Sequence, residues 1–240
     1  MNFKQLDILH PDKTHTFKSP LDPCLVRTGT LGGGDCYIHS FLYATSESYK
    51  NAPHPQRMLI ARQVREKLAD GLTLSDYKKL GDGELYRMNF VLHFRDVLSE
   101  LNLDDFDHWD NKILSDISDR WKTTSIADCE TIISELLPVP LERIEDESFK
   151  IYQNHLRTQW IDAFGIEYIS NVFKINVFVI KGDDRQLYRM AGVTKFDQSV
   201  ILCWIHETHY EVIGRMNENH RVVRVFKNND PLIQRLKREN

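Results

Sequence analysis

The last third of the chain constrains its fold most. Four short runs rich in β-branched and aromatic residues, 174–181, 200–205, 210–216 and 221–226, follow one another after the helical periodicity of the middle has ended. Gly182, Asp183 and Asp184 read as a turn after the first run. Upstream, Ile60, Ala61, Val64 and Leu68 recur at three- and four-residue spacing behind Pro53 and Pro55 and stop at Asp70-Gly71, which predicts a helix. Helical patterns are also predicted over 85–101, 109–121, 126–137 and 146–160. A short helix over 166–173 leads into the first strand, and another over 231–238 closes the chain. Helices first and strands last fit an α+β or three-layer architecture better than a regular βαβ repeat.

Length and charge remove several classes of function. A chain of 240 residues buries a large core without a disulfide or metal staple. Its formal net charge of −4 argues against a dedicated nucleic-acid binder, whose footprint would be basic. No apolar run reaches the roughly 18 residues of a membrane span, and residues 1–17 are too polar for a signal peptide. Cys24, Cys36, Cys129 and Cys203 lie far apart with no CxxC pair, so free thiols and a cytoplasmic location are expected. Charge is uneven: residues 96–148 carry 15 Asp/Glu against 4 Lys/Arg, a net −11 that leaves +7 elsewhere. Such a block is either a solvated helical face or an acidic surface for a partner.

The chemistry gathers around Gly32, Gly33 and Gly34, followed by Asp35 and Cys36 and then by helical apolar spacing from Tyr37 onward. Consecutive glycines allow positive φ and let backbone N–H groups converge. Cys36 then starts a helix, where the dipole favours a thiolate and the loop amides of Gly33, Gly34 and Cys36 can stabilise an oxyanion. The alternatives are a buried cysteine after a flexible turn, or a phosphate loop. The phosphate loop is disfavoured because no Lys-Ser/Thr follows the glycines and no strand clearly precedes them.

A cysteine nucleophile needs a base. His39 lies one helical turn beyond Cys36 and would point away from a thiolate at the helix end. His206 and His209 sit near the far end of the chain, and an early cysteine with a late histidine at the mouth of a strand is the order a papain-like site uses. No metal or other cofactor is expected. His206-Glu-Thr-His209 lacks HExxH spacing, and along a continuous strand Cys203 and His209 would face one side and His206 the other.

Gly32-Gly-Gly-Asp-Cys36 with its following helix resembles the cysteine loop of ovarian-tumour (OTU) domain cysteine proteases, the papain-like deubiquitinases. Residues 160–179 resemble that family's tryptophan, short helix and central strand, and His209-Tyr210 resembles its histidine loop. The three matches are collinear and touch about a third of the chain. The resemblance implies a papain-like α+β fold with a central, mostly antiparallel sheet flanked by helices. It implies one catalytic domain over 1–240 with a helical insert at about 54–148, as in some bacterial-effector or viral members. The implied activity is that of a thiol protease hydrolysing the (iso)peptide bond after the C-terminal Gly-Gly of ubiquitin, acting as a monomer on ubiquitin and polyubiquitin chains, in the host cytoplasm if the chain is an effector or viral. Cys36 would be nucleophile and His209 base. Gly33, Gly34 and Asp35 would form the cysteine loop, and Trp204 or Tyr210 would wall a narrow channel for the glycines. The family commonly has Asp and Asn where Gly33 and Asp35 stand, and Asn or Asp where Glu211 stands. Glu211 is therefore the expected third member, with Asp35 next. The alternative is a catalytically inactive ubiquitin-binding module.

Overall fold

The computed structural model describes residues 6–86, 141–191 and 195–238. The helices expected over 109–121 and 126–137, most of that over 85–101, and the bulk of the acidic block lie outside these residues. The chain divides into two compact units, Met1–Leu68 with Thr158–Asn240, and Ala69–Arg157.

The first unit is built on an eight-stranded sheet: β1 (Thr14–Thr16), β2 (Leu25–Thr28), β3 (Ile175–Lys181), β4 (Leu187–Ala191), β5 (Gln198–Ile205), β6 (His209–Met216), β7 (Val222–Val223) and β8 (Val225–Lys227). The strand order is β1-β2-β6-β5-β3-β4, with β7 on β6 and β8 on β5. Among the described residues only β3 and β5 pair in parallel, and every other strand pair is antiparallel. Helices α1 (Cys36–Thr45), α2 (Glu47–Asn51), α3 (His54–Gly71), α6 (Ala163–Phe173) and α7 (Pro231–Arg238) accompany the sheet, and the second unit holds α4 (Leu74–Tyr77) and most of α5 (Leu141–Thr158). The result is the expected α+β class, a mostly antiparallel sheet flanked by helices.

Strands do not come last, however. β1 and β2 precede the glycines, which overturns the expectation that no strand stands there. β2 is only Leu-Val-Arg-Thr, too short and too interrupted by charge to show alternation; pairing with β6 makes it a strand. β4 was also not anticipated, although a strand, a Gly-Asp-Asp turn and a second strand is a hairpin signature.

Residues two apart on β3 and β5 face a common core. Phe178, Ile180, Ile201, Cys203 and Ile205 join Ile213, Phe226 and, from α7, Leu232, Ile233 and Leu236. Arg215 of β6 fastens α7 by donating to both oxygens of Asp230 at 2.8 Å, and Asp230 also accepts from Leu232 N–H. α6 begins at Ala163, three residues before the expected start, because the Asp162 carboxylate accepts the Gly165 N–H at 2.7 Å. In the second unit Tyr77, Tyr86 and Tyr152 are buried, with the Tyr77 hydroxyl on Ser148 and that of Tyr86 donating to Glu145. Among the described residues no helix is long and apolar enough to cross a membrane.

Candidate active site

Cys36 is the first residue of α1, as its position after the glycines predicts. Gly33 has φ of +90°, a conformation that L side chains avoid, and its carbonyl accepts the Cys36 N–H at 3.2 Å. This turn engages the Cys36 amide, whereas the N–H groups of Gly34 and Asp35 remain uncommitted among the described residues. A Cβ on Gly32, Gly33 or Gly34 would meet nothing within 4 Å, so the loop borders open space. Asp35 stands at the N-cap of α1, yet its side chain caps nothing. Its carboxylate pairs with Arg65 of α3, and the same guanidinium donates to the Gly34 carbonyl at 3.2 Å.

His209 begins β6, directly after the hairpin that joins it to β5. In that turn the Thr208 N–H bonds the Ile205 carbonyl at 3.0 Å, and both central residues, His206 and Glu207, have positive φ (49° and 56°). This is the twist-matched hairpin pattern, built without glycine. The strand-parity argument for His206 therefore fails, because no continuous strand links Cys203 to His209. His206 sits in the turn, 3.8 Å from the Asp183 carboxylate, while Cys203 pairs across the hairpin with Glu211.

The structure brings the two ends of the chain together at Cys36. The β2–β6 ladder runs only to Thr28 and Val212, which leaves the start of β6 open on that side. α1 fills the opening. In an antiparallel pair the N–H and C=O of one residue point the same way, and here both groups of Tyr210 point at α1. The carbonyl accepts from Ser40 and Thr30 hydroxyls at 2.8 Å each, and the N–H reaches the Cys36 sulfur. That sulfur also lies 3.9 Å from the Thr208 carbonyl oxygen. Cys36 thus sits against the residues on either side of His209. Cys36 and Ser40 are four apart and share one helix face, so a single face of α1 makes the contact.

Burial dominates the electrostatics. It pushes the Cys36 thiol up, against the pull of the Tyr210 N–H, and Asp35 adds to the rise. It pushes the His209 imidazole down, helped by the positive charge of Arg27. Both shifts favour the uncharged forms of the Cys36 thiol and the His209 imidazole. His39, fully buried and bonded through Nδ1 to the Tyr49 hydroxyl, is pushed down by burial to about 4.

Glu211 shares a strand face with His209, two residues on, but its carboxylate is engaged elsewhere. Oε1 accepts the Leu9 N–H at 2.6 Å, and Oε2 lies 3.0 Å from Nη1 of Arg27, with both side chains buried. That ion pair lies off hydrogen-bond alignment, and the buried Nε2 of His209 has no hydrogen-bond partner among the described residues. Arg27 also donates to the Asp7 carbonyl at 2.8 Å. Residues 7–13 can pass this close because position 29 is glycine: a Cβ there would lie 2.3 Å from the His10 carbonyl oxygen. Asp35, the other expected third member, is held by Arg65.

Tyr210 is buried in an aromatic row, edge-on to Tyr37 at 5.3 Å and stacked with Trp204 at 6.3 Å. Trp204 continues the row to the half-exposed Tyr188, 4.7 Å away, with the Lys181 ammonium over both of those rings. Arg27, Arg65, Leu9 and Tyr188 are the site residues that sequence reasoning missed. Arg27 had a signal, since a lone charge inside an apolar strand requires a buried partner. Among the described residues no group of three His, Cys, Asp or Glu could hold a metal ion.

No family model matches the sequence, and no curated protein does. Among solved structures the chain is similar to an ovarian tumour (OTU) domain in complex with ubiquitin, at 14% identity and a TM-score of 0.45, covering 96% of this chain and 91% of that one. It is also similar to the OTU domain of OTUD1, at 10% identity and a TM-score of 0.37, covering 79% and 85%.

Proposed function

We propose that the chain is a cysteine-type deubiquitinase that hydrolyses the (iso)peptide bond after the C-terminal Gly-Gly of ubiquitin. One observation carries the reading: Cys36, at a helix start beneath an exposed glycine loop, is held by Thr208 and Tyr210 on either side of His209. The collinear cysteine loop, tryptophan-to-strand segment and histidine loop supply the substrate class. His209, held neutral by burial, accepts the Cys36 proton as the sulfur bonds the carbonyl carbon of the terminal glycine. The resulting oxyanion lies where the Gly34 and Asp35 amides are uncommitted. The C–N bond breaks as His209 returns the proton to the departing amine. Water then attacks the thioester, His209 takes its proton, and C–S cleavage returns that proton to Cys36 and releases the carboxyl product. The open space over the three glycines suits a substrate tail without side chains. Trp204, stacked on the buried Tyr210 and in contact with the half-exposed Tyr188, is the candidate channel wall, and the protein acts as a monomer in the cytoplasm.

The engagement of Glu211 by Arg27 and Leu9 favours a second reading, an inactive ubiquitin-binding module whose histidine lacks its orienting partner. Hydrolysis of ubiquitin-aminomethylcoumarin separates the two. Turnover that is lost in Cys36→Ala and His209→Ala supports the protease; ubiquitin binding without turnover selects the module.

A further inference from the structure

Arg65 lies about thirty residues from the cysteine loop in sequence and on a different helix, yet its buried guanidinium meets that loop twice, at the Gly34 carbonyl and at the Asp35 carboxylate. The Asp35 carboxylate stands where it would ordinarily cap α1 and caps nothing, because Arg65 holds it. The peptide between Gly34 and Asp35 is planar and trans, so the Gly34 C=O and the Asp35 N–H point in opposite directions. Fixing the carbonyl on Arg65 therefore fixes the Asp35 N–H on the side away from it. The loop needs such a clamp: three glycines give its backbone wide freedom, and a Cβ at Gly32, Gly33 or Gly34 would meet no neighbour within 4 Å. The Cys36 amide bonds the Gly33 carbonyl within the same turn.

We infer that Arg65 is a positioning residue for oxyanion stabilisation: by gripping Gly34 and Asp35 it aims the Asp35 N–H at the oxygen that becomes charged when Cys36 attacks. This rests on the thiol-hydrolase reading, because only acyl transfer creates that oxygen. A preorganised donor acts on the transition state far more than on the bound substrate, so its loss falls on kcat. Alkylation of a thiol creates no oxyanion and reports the Cys36–His209 pair alone.

The test compares wild type, Arg65→Met and Arg65→Lys on two acyl substrates, ubiquitin-aminomethylcoumarin and p-nitrophenyl acetate, with the rate of Cys36 alkylation by iodoacetamide followed by peptide mass. Arg65→Met is expected to lower kcat on ubiquitin-aminomethylcoumarin and the acylation rate on p-nitrophenyl acetate by roughly 10- to 100-fold. KM should stay within about threefold and alkylation within about twofold, as for an interaction made only in the transition state. Arg65→Lys, which keeps the charge but cannot grip both acceptors in the same fork, should recover part of the loss; it also carries the test if Arg65→Met does not fold. The inference is overturned by Arg65→Met acting within twofold of wild type, by alkylation falling in step with turnover, or by a loss confined to the ubiquitin substrate. Wild-type turnover of the ester alone would sink the ubiquitin reading and leave this inference standing on the ester data. Turnover of neither would sink both.

Discussion

Removing Arg27 alone should destabilise the protein severely, whereas removing Arg27 together with Glu211 should not. The two charges lie 3.0 Å apart with side chains 5% and 0% exposed. At an effective dielectric constant near 20 their attraction is about 5–6 kcal/mol. Desolvation costs several kcal/mol per ion, so the intact pair contributes little net stability. Arg27→Met leaves Glu211 buried with only the Leu9 N–H as partner among the described residues, and an unpaired charge of this kind costs about 3–5 kcal/mol. Arg27→Met with Glu211→Leu should return to within about 1–2 kcal/mol of wild type. Urea unfolding at pH 7 measures both. pH supplies an independent sign. Burial already raises Glu211 in the wild type, and loss of Arg27 raises it further. A group raised in the folded state contributes stability that is present below its unfolded pKa and lost as pH rises through the folded one, so the deficit of Arg27→Met should shrink as pH falls toward 4.5. A deficit below about 1 kcal/mol at pH 7, or one that does not vary with pH, would refute the reasoning.

The glycine loop should separate stability from activity. Gly34→Ala meets open space at an ordinary φ, so thermal unfolding should move by less than about 0.5 kcal/mol while ubiquitin-aminomethylcoumarin hydrolysis falls steeply; Gly33→Ala should lose about 1–2 kcal/mol because its φ is +90°. Glu207→Gly, at a left-handed hairpin position, should raise stability by up to about 1 kcal/mol in denaturant unfolding. His39 is pushed down to about 4 from 6.5, so the unfolded chain binds the extra proton first and stability should fall as pH drops from about 6.5 to about 4. Urea midpoints across that window should show the slope, and His39→Gln should flatten it.

The elements that carried their own signals were legible in the sequence. Periodicity and the Asp70-Gly71 stop marked α3, β-branched runs marked β3, β5 and β6, and the glycine triplet placed Cys36 at a helix start. The missed pieces are made by long-range pairing. β2 is a strand because β6 lies beside it, and its Arg27 is buried because Glu211, 184 positions along the chain, lies on the same face. Asp162 offered a capping signal for α6 that apolar spacing alone placed three residues late. His206 shows why parity counts fail at a hairpin: its left-handed φ comes from sheet twist, and neither His206 nor Glu207 is a residue type that announces such a turn. The roles expected of Glu211 and Asp35 came from position alone, whereas their partners, Arg27 with Leu9 and Arg65, come from other segments of the chain.

The central claim, that Cys36 is a nucleophile served by His209 on the C-terminus of ubiquitin, is tested most directly by incubating the protein with ubiquitin bearing a C-terminal vinyl sulfone and locating any adduct by peptide mass. A single ubiquitin adduct on Cys36, absent in Cys36→Ala and slowed by at least about 100-fold in His209→Ala, is the predicted result. No adduct, or an adduct on Cys24, Cys129 or Cys203 that persists in Cys36→Ala, would contradict it.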